Sequence, residues 1–192
     1  DCGLFQGKRA ESREKNLKLP YDVEKLSAIV VSHPHIDHIG RLPYLTHSGY
    51  SRTIWTTPGT RDLAEIMLSD SAHIQEKDAE FLRKRGVEAV EPLYRVGDIP
   101  PLLKLVRTEH YGRTFEVVPG IRATYVDAGH ILGSAQVMLE CTENGKTKRL
   151  LFSGDIGRWG QPIIRDPQPP GGADMVIMGS TYGDRGHPKL SG

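Results

Sequence analysis

Residues 32–40 read SHPHIDHIG, directly after the apolar run LSAIVV. Three histidines and an aspartate fall within six residues, at the mouth of a predicted buried strand over residues 26–32. In an extended segment side chains alternate, so His33 and His35 face the same side. Pro34 stiffens the chain between them. Asp37 and His38 fall where the chain turns into a helix, and so aim at a second point. One short segment can therefore serve two neighbouring cations, and imidazole with carboxylate suits zinc, manganese or iron. A loop that is merely rich in histidine does not account for four ligand-type side chains in the pattern H-x-H-x-D-H.

Such a motif constrains the fold, because two cations need more ligands than these four. The others must arrive at strand ends on the same edge of a sheet. YVDAGHILGSA puts His130 in a glycine-bounded loop after a strand, and LLFSGDIG puts Asp155 straight after an apolar strand. A carboxylate there can bridge two cations about 3.5–4 Å apart.

The rest of the chain reads as mixed α and β. Residues 6–20 are polar and charged and are expected to form a surface loop. A short helix is predicted over 38–47, with Ile39, Leu42 and Leu45 on one face and Pro43 limiting its first turn. After a strand at 53–57, a long helix is predicted from Pro58 to Gly86. Its expected apolar face is Leu63, Ile66, Met67, Ile74, Phe81 and Leu82. A short helix near 101–106 precedes strands near 114–118, 121–126, 135–141 and 149–153. A Pro/Gly-rich loop over 160–174 leads to a last strand at 174–179. Strands mixed with helices, with hairpin-like pairs in the second half, favour a layered α/β sandwich.

Composition excludes little. A formal net charge of +1 announces no nucleic acid, although a local basic groove needs no net charge. No apolar run is long enough for a membrane span. Cys2 and Cys141 lack metal-type spacing and read as reduced thiols of a cytoplasmic protein. His47, His73 and His110 have no partners at ligand spacing and are read as surface or packing residues. His187 is read as structural, and Arg83, Lys84 and Arg85 as a solvated helix end.

SHPHIDHIG, DAGHILGSA, FSGDIGR and STYGDR, in this order, resemble the metallo-β-lactamase fold, and within it the β-CASP nucleases. The closest likeness is to RNA-processing members related to the endonuclease subunit of the cleavage and polyadenylation specificity factor. The resemblance implies an αββα sandwich and a two-metal hydrolase acting on single-stranded RNA, with no membrane. A homodimer stays open. It implies two zinc ions, with manganese as an alternative. His33, His35 and His130 would hold one, Asp37 and His38 the other, and Asp155 would bridge them. Asp37 and Asp155 would be catalytic, Asp37 by orienting the attacking water. Asp1 would orient a ligand from behind.

Two departures from the family pattern stand out. Relatives usually carry an acidic residue where this chain has Gly179, directly before STYGDR. The family also inserts the β-CASP domain beyond this point. The expectation is therefore a partial metallo-β-lactamase domain over residues 1–192, truncated at both ends, with weak or no activity by itself. The competing readings are another hydrolase on the same fold, such as a thioesterase or lactamase, and a catalytically impaired partner subunit.

Overall fold

The computed structural model describes residues 1–87, 90–180 and 183; the side chains of Arg9 and Ala10 are outside the description, as are His187 and most of STYGDR. Two sheets face each other. The first holds β1 (Ile29–Val30), β2 (Ile54–Thr56) and β3 (Val106–Thr108), all parallel, with Ile54 opposite both Ile29 and Val106. Parallel neighbours need crossovers, and helices supply them. α2 (Ile36–Ile39) and α3 (Leu42–His47) join β1 to β2, while α4 (Pro58–Lys84) and α5 (Ile99–Leu103) join β2 to β3. The second sheet runs β4 (Thr114–Val118), β5 (Ile121–Asp127), β6 (Ala135–Glu143) and β7 (Lys146–Phe152) as an antiparallel meander, with β8 (Met175–Ile177) parallel to β7. Asn144 and Gly145, both at positive φ, close the β6–β7 hairpin as Asn-Gly turns do.

The burial follows from this layering. Ile29, Val31 and Ile54 pack with Ile39, Leu42, Leu45, Leu68 and Leu102, which fixes the helices against one face of the first sheet. The opposite face meets the second sheet. There Val30 and Trp55 pack against Phe115, Tyr125 and Val137, with Trp55 and Phe115 ring centres 4.8 Å apart. Helix, sheet and sheet are thus three of the four expected layers; no helix follows α5 among the described residues.

Several expectations need correction. Residues 9–17 form α1 (Arg9–Leu17) rather than a loop. It has no apolar period to announce it. It is held by i,i+4 pairs, Glu11–Lys15 and Glu14–Lys18. Its Asn16 amide also satisfies both backbone groups of Phe5. The single helix predicted over 38–47 is two, because the chain breaks at Gly40 and Arg41, where the Arg41 guanidinium turns back to Gly3 O at 2.8 Å. Ile39, Leu42 and Leu45 are buried as expected.

The larger correction concerns α4. Its buried stripe is Thr60, Ala64, Leu68, Ala72 and Ala79, while Ile66 (65 % exposed), Ile74 and Phe81 face outward. Small side chains line the core with Met67 packed beside them, so periodicity counted on large apolar residues is right at Met67 and wrong at Ile66, Ile74 and Phe81. The strand at 26–32 is regular only at Ile29 and Val30, although the chain stays extended and buried beyond it.

Candidate metal centre

The carboxyl ends of β1, β5 and β7 open onto one edge, and the ligand-type residues lie there. After β1, Val31 N–H still pairs with Trp55 O (2.8 Å), and His35 stands at the N-cap of α2 in extended geometry. The first turn of α2 then carries Asp37 and His38. Residues 2–4 lie along this turn through Cys2 N–H to His38 O (2.7 Å) and Leu4 N–H to Ile36 O (2.9 Å). That pairing brings Asp1 up to His38.

His130 sits in the β5–β6 turn, where the Ser134 hydroxyl accepts from the amides of His130 and Ile131. Asp155 follows β7. Its loop lies against the His130 turn through Gly157 N–H to Ala128 O (2.9 Å), and a Cβ on Gly157 would fall 1.6 Å from Gly129 O. Only glycine permits that approach.

Donor atoms converge. His35 Nδ1 is 3.1 Å from His33 Nε2 and 3.2 Å from His130 Nε2. Asp155 Oδ2 closes the group at 3.9 Å from His33 Nε2 and 3.6 Å from His130 Nε2. These are better read as the edges of a ligand cage than as hydrogen bonds, since two nitrogens aim at one and the same atom. Zinc–nitrogen bonds of about 2.0–2.1 Å put tetrahedral ligands about 3.3–3.4 Å apart. The four side chains fit such an ion.

Asp155 has a second oxygen, and it points elsewhere. Oδ1 is 3.7 Å from His38 Nε2, and Asp37 Oδ2 is 3.9 Å from the same nitrogen. Asp37 Oδ2 and Asp155 Oδ1 thus both lie within 4 Å of His38 Nε2, and Asp155 faces both this nitrogen and the first group. Asp37 is the most open of these side chains at 51 % exposed, against 1 % for His33.

Burial, reinforced by the neighbouring imidazoles, pushes the His33 pKa down to about 2, so its ring is neutral at working pH. Burial also lowers His130 and His38. For His38 this stands against a 2.6 Å contact between Nδ1 and Asp1 Oδ2, which would favour a charged ring. A neutral ring carrying its one proton on Nδ1 satisfies both. All three histidines are thus kept in the state a metal takes up.

His47, His73 and His110 are exposed and away from the group, as are Arg83, Lys84 and Arg85 at the end of α4. Cys2 and Cys141 are free thiols. Gly179 borders the centre: a Cβ there would lie 3.4 Å from Asp155 Oδ1. Sequence reasoning missed Ser32. Its hydroxyl is 2.6 Å from Asp1 Oδ2 and 3.0 Å from His33 Nδ1. A hydroxyl residue directly before the first ligand was the available signal, because ligand imidazoles need a partner for their other nitrogen.

Residues 1–189 match the family model described as the β-lactamase superfamily domain. A ribonuclease of Thermus thermophilus, TTHA0252, is 32 % identical over 187 residues, covering 97 % of this chain but 38 % of the ribonuclease. The transcription termination factor FttA of Pyrococcus horikoshii is 41 % identical over 164 residues, 82 % of this chain and 23 % of the factor. The chain thus spans well under half the length of these relatives. A solved B3 metallo-β-lactamase with an active-site glutamic acid overlays 80 % of this chain and 52 % of its own, at 17 % identity and a TM-score of 0.45.

Proposed function

This chain belongs to the β-lactamase superfamily, and from that premise we propose that it is the metal-holding part of a β-CASP-type ribonuclease, hydrolysing phosphodiester bonds of single-stranded RNA with two zinc ions. The observation that carries the two-cation part is the split of Asp155, one oxygen toward His33 and His130 and the other toward His38. The RNA part is supported by the relative named a ribonuclease. Residues 1–192 would form part of a metallo-β-lactamase domain, working in the cytoplasm, in keeping with free thiols at Cys2 and Cys141.

In this reading His33, His35, His130 and Asp155 hold one cation and Asp37, His38 and Asp155 the other. Bound cations would supply a nucleophile at neutral pH and neutralise charge on the phosphate. Asp37, with an exposed carboxylate beside His38, would orient the attacking water. Asp1 steadies His38 from the far side. Manganese is the alternative occupant.

Gly179 leaves the flank of Asp155 without a second carboxylate. Gly179→Glu in the full-length protein is therefore expected to raise the rate.

Labelled single-stranded RNA, incubated with zinc or manganese and the full-length protein, tests the reading, while residues 1–192 alone are expected to cleave weakly or not at all. Cleavage that a chelator abolishes and added metal restores is the expected result. Turnover of a thioester or a β-lactam without RNA cleavage would replace it with another hydrolase of this fold. Zinc held with no turnover of any of these would point to an impaired subunit. Calorimetric titration should also resolve two unequal sites, since four protein groups surround the first position and three the second. Two equally tight sites would contradict that assignment.

A further inference from the structure

We propose that Ser32 is a positioning residue that, with Asp1, presets the tautomers of His33 and His38, so that both rings turn a bare Nε2 toward the metal positions. The proposal rests on the metal-centre reading above but not on RNA as substrate.

The hydrogen-bond chain allows one assignment of protons. Ser32 is fully buried. Its amide donates to Asp1 Oδ1 at 2.7 Å and its hydroxyl to Asp1 Oδ2 at 2.6 Å. A carboxylate only accepts, so the one hydroxyl proton goes to Asp1. The Ser32 oxygen is then left to accept, and its neighbour at 3.0 Å is His33 Nδ1. That nitrogen must carry the ring proton. A neutral imidazole carries one, so His33 Nε2 is a lone pair. It is the atom that faces His35 Nδ1 and Asp155 Oδ2.

Asp1 acts on His38 directly. His38 Nδ1 donates to Asp1 Oδ2 at 2.6 Å, which leaves its Nε2 bare toward Asp155 and Asp37. One carboxylate thus sets two rings, the first through Ser32 and the second by itself.

Asp1, His33 and His38 also lie close enough to be taken for a third metal position. The 2.6 Å distances speak against that. They are hydrogen-bond lengths, well below the about 3.3 Å edge of a zinc cage.

Without the hydroxyl, His33 Nδ1 would face a site too buried for water. The proton would then gain by moving to Nε2, where His35 and Asp155 offer acceptors, and the metal would have to displace it. Ligand imidazoles that lose such a partner typically lose about 10- to 100-fold in metal affinity.

The test uses metal-free purified protein and two readouts that need no RNA. Two-bond nitrogen–proton spectra report which ring nitrogen carries the proton. Competition with a chromogenic chelator reports zinc affinity. Wild-type His33 and His38 are expected as Nδ1–H tautomers. Ser32→Ala should shift His33 toward Nε2–H, leave His38 unchanged and weaken zinc by about 10- to 100-fold. Ser32→Thr, which keeps the hydroxyl, should restore both. If Ser32→Ala does not fold, Asp1→Asn gives a second reading, in which both rings should lose their preference. The proposal is overturned if wild-type His33 carries its proton on Nε2. It is equally overturned if Ser32→Ala lowers the melting temperature while zinc affinity and the His33 tautomer stay as in wild type, because Ser32 would then serve the fold alone. If wild-type protein binds no zinc, it is the metal-centre reading that fails, and the spectra still report the tautomers.

Discussion

The two sheets contribute to the centre in different ways. The parallel sheet supplies His33, His35, Asp37 and His38 from six consecutive residues, and a helix layer stands directly behind them. The antiparallel sheet supplies His130 and Asp155 from two turns 25 residues apart, which meet because β5, β6 and β7 are neighbours. The first contribution is local and is set by strand-to-helix geometry. The second is topological and exists only once the meander has folded. Asp155 is the point where they join, since it faces ligands from both.

The largest effect should come from that shared residue. Asp155→Ala removes a donor from both metal positions, whereas His130→Ala removes one from the first alone. Asp155→Ala is expected to cost more than about 10²-fold in RNA cleavage, the scale of losing one preorganised charge-stabilising group. It should also lower the bound metal at both positions, while His130→Ala spares the second. Metal analysis after dialysis, beside cleavage rates, checks this. Equal losses from the two variants would dissolve the distinction between shared and one-sided ligands.

Next in size is the packing behind the local half. Leu68 is 1 % exposed on α4, at the centre of the cluster under residues 31–39. Leu68→Ala should lower stability by about 2–5 kcal/mol. Denaturant unfolding, in the presence and absence of zinc, would show whether the loss also weakens metal binding. An effect on stability with none on metal would mean that the local half keeps its geometry without its backing.

A smaller effect follows from pH in the metal-free protein. The His33 pKa is about 2 when folded and near 6.5 when free, so the unfolded chain takes up a proton that the folded chain refuses. Stability is therefore complete above about pH 6.5 and is lost as pH falls below it, by up to about 1.4 kcal/mol per pH unit from this group. Melting curves between neutral and mildly acidic pH should show the slope, and His33→Gln should flatten it.

The smallest effect tests the corrected face of α4. Ile66→Lys should change stability by no more than about 0.5 kcal/mol, because the side chain already faces outward. A loss of several kcal/mol would return Ile66 to the core.

This asymmetry also explains what could be read from the sequence. The four-residue motif, and the expectation that His130 and Asp155 end strands on its edge, depend on spacing and strand ends, which a sequence displays. Strands β4 to β8 were legible in place, although β7 opens at Lys146, three residues before the expected start. The helix α1 was not, since charge pairs rather than apolar period hold it. The face of α4 was misread at Ile66, Ile74 and Phe81, though not at Met67, because the buried stripe is carried by the small Ala64, Ala72 and Ala79. Ser32 was passed over because its role depends on Asp1, 31 residues away.

The contact of Gly157 on Gly129 has a consequence for anyone who would move this centre to another protein. The turn bearing His130 and the loop bearing Asp155 touch backbone to backbone, with no side chain between them to absorb a misfit. Neither can be lengthened, shortened or exchanged without the other following. For transplantation the two loops form a single part, whereas residues 32–40 can be treated as another. An insertion library across both loops should recover metal-binding members only where the two have changed together.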